Sequence, residues 1–466
     1  MEKTKQMSAP AENIMGTMPI NPLLIKLSVP MMISMLVQAL YNVVDSVFVS
    51  HVSESALTAV SLAFSLQNVM IAVGIGTGVG VNALLSKSLG EQNQTKANQV
   101  AEHGLFLALC SFLAFFAVGL FCVKPYFQAQ TTDPEILRQG VLYMQVCCMG
   151  SAGMFMQMMA EKLLAATGRT HLSMISQLVG AGVNILLDPL FIFGTFGQAL
   201  SGTTGAAVAT VIGQFCGAGV ALWLNWRKNP DIQLDMRSFR PNADAIGRIY
   251  AVGLPSIAMQ CVGSIMTFCM NLILMQFSST AVAVFGVYFK LQSFVFMPVF
   301  GLNNGTVPIM SYNYGARRAD RVHKTIRLAA VYATAIMLGG FLLFQFLPGQ
   351  LLGLFDASAE MTVIGITALR IISIHFLLAG LDIVFSSVFQ ALGNGLFSLI
   401  TSVCRQLAVL LPAAYLLART GRLELVWWAF VISGVVSFAL SLCFMIHINR
   451  TVLAPLSAAP VNPQGR

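Results

Sequence analysis

Apolar runs of twenty to thirty residues recur from residue 24 to residue 448, separated by short polar breaks. Runs such as HGLFLALCSFLAFFAVGLFCV (103–123) and LVWWAFVISGVVSFALSLCFMIHI (425–448) carry almost no charge. Their length matches the ~20 residues that an α-helix needs to cross a bilayer. A membrane β-barrel would alternate apolar and polar positions in short segments, and these runs do not. The pattern predicts twelve spanning helices, at 24–50, 56–85, 99–123, 136–160, 171–195, 203–226, 247–277, 281–311, 325–348, 361–388, 395–418 and 424–448. The first run follows a polar leader, is longer than a signal-peptide core and has no A-x-A cleavage site, so it is expected to be retained.

Composition agrees with this pattern. Of 466 residues, 56% are hydrophobic and 9% charged, with a mean hydropathy of +0.77; an ordinary soluble chain carries about 25% charged residues. The chain is expected to be an all-α polytopic membrane protein. Lysine and arginine set its orientation: nineteen of the 26 fall on the face that holds both termini, four on the other, and three (Lys290, Arg370, Arg405) inside spans. Both termini are therefore expected in the cytoplasm. The net charge of +8 follows from that asymmetry and implies no nucleic-acid partner. The nine cysteines show no metal spacing and read as small core residues.

Sliding the chain against itself by 225 residues brings two halves into step without a gap. Pro30 then lies on Pro255, Gln67 on Gln292, Gly76 on Gly301, Gly80 on Gly305, Gly90 on Gly315 and Gly168 on Gly393. Six helices per repeat is an even number, so the copies are parallel and related by a pseudo-two-fold axis along the membrane normal. The expected organisation is a leader (1–23), an N-lobe (24–226), a linker (227–246), a C-lobe (247–448) and a tail (449–466), with a cleft between the lobes.

Two acids interrupt the apolar spans of the first repeat. Asp45 lies in ALYNVVDSVFVSHV (39–52) and Asp188 in VNILLDPLFIF (183–193). A carboxylate at the centre of a spanning helix costs roughly 2.5–3.5 kcal/mol on insertion scales. Tyr41 lies one helical turn from Asp45, and Asn184 one turn from Asp188. Counted inward at ~1.5 Å per residue, Asp45, Asp188 and Thr210 share a depth of roughly 8–11 Å below the outer surface. Apart from Lys26 and Arg138 at span ends, no span of that repeat holds a lysine or arginine to neutralise the acids. Repulsion and desolvation disfavour two bare carboxylates together, so the pair is expected to share a proton or hold a cation such as Na⁺. Local capping of a helix broken at Pro189 is the simpler alternative.

The second repeat lacks this set: the offset turns Asp45 into Met270, Asn184 into Val409 and Asp188 into Ala413. It carries Lys290, Asp382 and Arg405 instead, as candidates for substrate contact or gating. Asp382 and Arg405 lie in the inner halves of their spans, which leaves a structural ion pair and a substrate contact both open. GIGTGVGVN (74–82) has no preceding strand and no GK[ST], so it reads as close helix packing rather than a phosphate loop. No HExxH, GxSxG or Ser/His/Asp arrangement supports an enzyme.

Several stretches together resemble the multidrug and toxic compound extrusion (MATE) transporters, in particular their bacterial MepA-like and DinF-like branch. They are LYNVVDSVFVSH (40–51), NILLDPLFIFG (184–194), TTGAAVATVIGQ (203–214), VPIMSYNYGARRADRV (307–322), SVFQALGNG (387–395) and RQLAVLLP (405–412). The resemblance implies two six-helix lobes, alternating access, and export of organic, cationic or amphipathic compounds driven by inward H⁺ or Na⁺. By motif it implies a cation-coupling site at Tyr41, Asp45, Asn184, Asp188 and Thr210. Asp382 matches an acid in the tenth helix of some members. The seventh-helix acid of those members has no counterpart here, since residues 247–277 contain no Asp or Glu. It further implies a bacterial plasma-membrane monomer without cofactor, whose partners are a small organic substrate and the bilayer. A flippase for anionic lipid-linked precursors and, more remotely, a channel are the alternatives.

Overall fold

The computed structural model describes residues 13–50, 53–192, 202–235, 239–355 and 358–458, with side chains at all of these except residues 41–50, Glu54, Leu57, Ser457 and Ala458. The described chain is helical. After a short turn, α1 (Ile14–Thr17), the N-terminal half runs through α2 (Ile20–Ser50), α3 (Glu54–Gly90), α4 (Gln94–Phe121), α5 (Val123–Gln128), α6 (Pro134–Met149), α7 (Ser151–Ala166), α8 (Thr170–Ile192) and α9 (Gly202–Lys228). The second half opens with α10 (Ala243–Met275), α11 (Ser279–Gly315), α12 (Ala319–Phe346), α13 (Pro348–Gly353), α14 (Ala359–Ser373) and α15 (Phe376–Ala391). It closes with α16 (Gly395–Val403), a π-helical segment (Cys404–Leu410), α17 (Leu411–Ala418), α18 (Leu423–Val426), α19 (Trp428–Ile448), a second π-helical segment (Asn449–Leu453) and α20 (Ala454–Ala458). Ten of these stretches are long and apolar enough to span a bilayer alone. The α14/α15 pair, bent by 49°, supplies an eleventh, and α6 with α7, sixteen residues each and broken at Gly150, occupies the equivalent place in the first repeat.

The two halves repeat one another down to single residues. Ser53 and Ser278 cap α3 and α11 by accepting from the N–H three residues on, each at 3.0 Å. Backbone φ is +56° at both Gln92 and Arg317, and +82° and +85° at Gly168 and Gly393. Ser86 Oγ donates to the Ala166 carbonyl at 2.8 Å, and Ser311 Oγ to that of Ala391 at 2.9 Å. The fourth and tenth spans also break at corresponding places, at Gly150 and at Ile374–His375. All these pairs stand 225 apart, so the repeat governs tertiary structure as well as sequence.

On the face that carries the basic loops, the lobes meet along two crossings, α3 on α10 and α11 on α2, where glycines remove the side chain at the point of contact. A Cβ on Gly80 would lie 2.2 Å from the Ile249 carbonyl oxygen, and one on Gly305 2.7 Å from Ser28 Cα. Nearer that face, Gly90 and Gly315 abut the carbonyls of Tyr312 and Lys87. Lys162 Nζ donates to Asn304 Oδ1 (2.9 Å), and Ser28 Oγ to the Leu302 carbonyl (3.3 Å). Towards the opposite face the crossings end at Asn68–Ser264 (2.6 Å) and Gly301–Met32. Beyond them Leu40, Phe268 and Phe294 are exposed. The lobes are thus sealed at the basic face and parted at the other.

A strap of chain crosses the seal. Asn13 Nδ2 donates to the Thr167 carbonyl of the first lobe (3.0 Å). On the second lobe, Arg321 Nη2 donates to the carbonyls of Met15 (2.9 Å) and Met18 (2.7 Å), Arg318 Nη1 to that of Gly16 (2.6 Å), and Asn313 Nδ2 to that of Met15 (3.0 Å). Met15 is fully buried, and Ile20, Leu23, Leu24 and Leu27 in the first turns of α2 are buried in the same hydrophobic cluster as Ile309 and Tyr312 of α11. The leader is therefore partly structural, which its polar composition did not suggest. Hydrogen bonds to charged groups contribute about 1.5–3 kcal/mol. Arg321→Ala is expected to raise the rate at which a protease added on that face trims the first residues by roughly 10- to 100-fold, at ~1.4 kcal/mol per tenfold. An unchanged trimming rate would show that the strap is held elsewhere.

Candidate functional site

The site in the first lobe is built where α8 crosses α9. The two helices approach at Gly180 and Gly213: a Cβ on Gly213 would lie 2.7 Å from the Gly180 carbonyl oxygen and 2.9 Å from Asn184 Cβ. Small residues at such a crossing let backbones close in, which brings Asn184, one turn after Gly180, against Thr210, one turn before Gly213. Asn184 Nδ2 donates to Asp188 Oδ1 (3.3 Å) and to Thr210 Oγ1 (3.2 Å). Asp188 is 0% and Asn184 3% exposed. Asn184 Oδ1 is buried with no hydrogen-bond partner among the described residues. Pro189 lies inside α8, where its missing N–H leaves the carbonyl one turn back without its helical bond.

A buried carboxylate, a hydroxyl and an amide oxygen without a donor form an oxygen-rich environment for a small positive charge. Burying a polar group without compensation costs about 1–3 kcal/mol in proteins, so an acceptor left open here favours a proton or a hard monovalent cation. Three of the five residues expected at this site, Asn184, Asp188 and Thr210, are thus brought together. Tyr41 and Asp45 lie outside the residues whose side chains are described. Their helix, α2, runs beside α8 up to that point, where Gln177 Nε2 donates to Gln38 Oε1 (3.2 Å).

Of the two readings that the sequence left open for the second lobe, the structure does not bear out the structural ion pair. Asp382 forms no ion pair with Arg405; its Oδ2 accepts from Ser437 Oγ on α19. Asp382 is 5% and Ser437 0% exposed, and Asp382 Oδ1 and Ser441 Oγ, buried nearby, have no hydrogen-bond partner among the described residues. The reason is the helix face: α15 turns Asp382 towards α19, where Ser433, Ser437 and Ser441 recur every fourth residue. That spacing is legible in the sequence and was the missed signal. Arg405 lies in the π-helical segment Cys404–Leu410 and makes no hydrogen bond or ion pair with another described residue. Single π-helical turns within α-helices are frequent at functional sites. Lys290 is exposed on α11, its Nζ 5.9 Å from the centre of the Phe355 ring.

Sequence reasoning also passed over Glu161 and Lys162. Lys162 was counted among the basic loops, but it reaches Asn304 across the lobe interface. Glu161 accepts from Gln157 Nε2 (3.0 Å) and Ser176 Oγ (2.8 Å) inside the first lobe. An adjacent acid–base pair at the end of an apolar span was the available clue.

The model of the MatE family matches residues 30–190 and 255–416, one copy in each repeat. The multidrug export protein MepA of Staphylococcus haemolyticus (strain JCSC1435) is 25% identical over 436 residues, covering 91% of this chain and 93% of that protein. MepA of Staphylococcus aureus (strain MSSA476) is 24% identical over 437 residues, covering 93% and 94%. A solved multidrug-resistance MATE transporter of the MOP superfamily, in an outward-facing conformation, superposes with a TM-score of 0.89 at 27% identity. It covers 97% of this chain and 100% of that one.

Proposed function

The chain belongs to the MatE family of multidrug efflux transporters, and from that premise we propose that it is a secondary antiporter exporting organic amphipathic compounds in exchange for inward H⁺ or Na⁺. The observation that carries this reading is the buried Asn184–Asp188–Thr210 set, an ionisable group 0% exposed inside an apolar lobe. Intramembrane acids are costly and commonly mark ion pathways. In this reading Asp45 and Tyr41 complete the coupling site, and the basic face is cytoplasmic. The parted face then opens outward, where an external cation reaches Asp188. Its arrival favours the arrangement of the N-lobe that releases substrate from the cleft and allows the lobes to rock. One proton crossing 100 mV supplies about 2.3 kcal/mol. At ~1.4 kcal/mol per tenfold, that sustains a ~50-fold gradient of a neutral substrate exchanged one for one.

The test is transport in proteoliposomes under an imposed pH gradient or, separately, an imposed sodium gradient. Concentrative movement of a fluorescent amphipathic cation such as ethidium, or of norfloxacin, under one gradient is the expected result. Flux that proceeds equally without either gradient would favour a channel and overturn the proposal.

A further inference from the structure

The seal fixes which side of α11 faces the first lobe. Gly301 and Gly305 are notched onto Met32 and Ser28 of α2, with added Cβ atoms at 2.4 Å and 2.5 Å from atoms of those residues. Lys290 precedes Gly301 by three helical turns, so at 100° per residue the two point the same way to within about 20°. Lys290 therefore faces the first lobe roughly 16 Å farther from the basic face, at ~1.5 Å per residue. There the lobes have parted. Its ammonium makes no ion pair and no hydrogen bond with a described residue, and only the Phe355 ring lies beneath it.

The described surroundings are mostly apolar, and the nearby described charge is a second cation, Arg405, close enough to act on Tyr288 two residues from Lys290. Phe294, one turn along the same face of α11, is 44% exposed, and Phe268, one turn beyond the last contact of α10 at Ser264, is 65% exposed. No described acidic side chain shares the facing positions of α3, α10, α11 and α2 as far as Leu40 above the seal. At the position of α3 that corresponds to Lys290 the chain has Ser65, so the fixed charge belongs to one wall only. An ammonium beside aromatic rings, with no counter-ion among the described residues and low-dielectric walls, attracts a carboxylate and repels a bare cation.

We infer that Lys290 is a specificity-determining residue of the cleft, selecting amphipathic substrates that carry a carboxylate next to their apolar part over plain organic cations. The inference rests on the export function proposed above and narrows its substrate class.

The probes are norfloxacin, a zwitterion, and its methyl ester, a cation of nearly the same shape. Equilibrium binding of each to the purified full chain in detergent needs no ion gradient, so it reads the cleft independently of coupling. Wild type is expected to bind the acid at least fivefold more tightly than the ester. Lys290→Gln should remove that preference by weakening binding of the acid, and Lys290→Arg should keep it. The inference is overturned if wild type shows no preference for the acid, which includes binding neither probe, or if Lys290→Gln alters both probes alike or neither. Gradient-driven transport of the same two probes is a separate measurement. Loss of transport with the binding preference intact would count against antiport and leave the role of Lys290 standing.

Discussion

Asp188→Asn is expected to collapse concentrative export, from the ~50-fold ratio that one proton sustains at 100 mV to about one, while the protein still folds and reaches the membrane. An amide has nearly the shape of a carboxylate, and its oxygen can still accept from Asn184 Nδ2, which lies 3.3 Å from Asp188 Oδ1. The crossing of α8 and α9 rests on Gly180 and Gly213 rather than on this contact. What the amide lacks is the capacity to exchange a proton or neutralise a sodium ion. A ligand that binds both states of a two-state protein equally shifts nothing, so without differential cation binding the gradient has no hold on the lobes. Downhill counterflow of substrate should persist, which separates lost coupling from lost folding. Asp45→Asn is expected to behave alike if the two acids act as one site. Wild-type accumulation ratios in either variant would refute the coupling role.

Much of this arrangement could be read from the sequence, because a 225-residue offset needs only glycines, prolines and loops to declare itself. The glycines of GIGTGVGVN were read correctly as packing residues, but their partners were out of reach. Gly80 meets Ile249 of the other lobe, and no periodicity within one helix specifies which backbone lies opposite. The first-lobe acid site was legible in part, since a carboxylate one turn from Asn184 in an apolar run is a costly pattern. Its closeness to Thr210 depends on the Gly180–Gly213 approach between two helices. The second lobe was harder: Asp382 was left between an ion pair with Arg405 and a substrate contact, and the serine ladder of α19 becomes its partner only through the direction in which α15 turns. The strap was hidden because its bonds run from Arg318 and Arg321 to main-chain carbonyls, which every residue carries.

Gly90→Ala combined with Gly315→Ala is expected to break the seal at the basic face and to reduce transport at least tenfold. A Cβ on Gly90 would stand 1.9 Å from the Tyr312 carbonyl oxygen, and one on Gly315 2.2 Å from that of Lys87. Favourable carbon–oxygen contacts lie near 3.3–3.6 Å, so each crossing must widen by about 1 Å or more. The atoms met are backbone in both cases, so no side chain can rotate away, and packed interiors yield little. Overpacking of this kind typically costs about 1–3 kcal/mol at each site. If the sealed form is favoured about 99:1, about 2.7 kcal/mol brings the two forms level, half of what full reversal requires. Two notches at symmetric positions supply that between them, because both must close for the lobes to meet. The measurement is the distance between spin labels on unnatural side chains at positions 95 and 320, exposed and equivalent in the first turns of α4 and α12. Wild type should give one short distance, and the double variant a broad distribution shifted to longer values. Gly339→Ala, where an added Cβ meets nothing within 4 Å, should leave both distance and transport unchanged. A double variant with the wild-type distance would show that the seal does not depend on these approaches, and that the lobes are held together by Lys162–Asn304 and the strap instead.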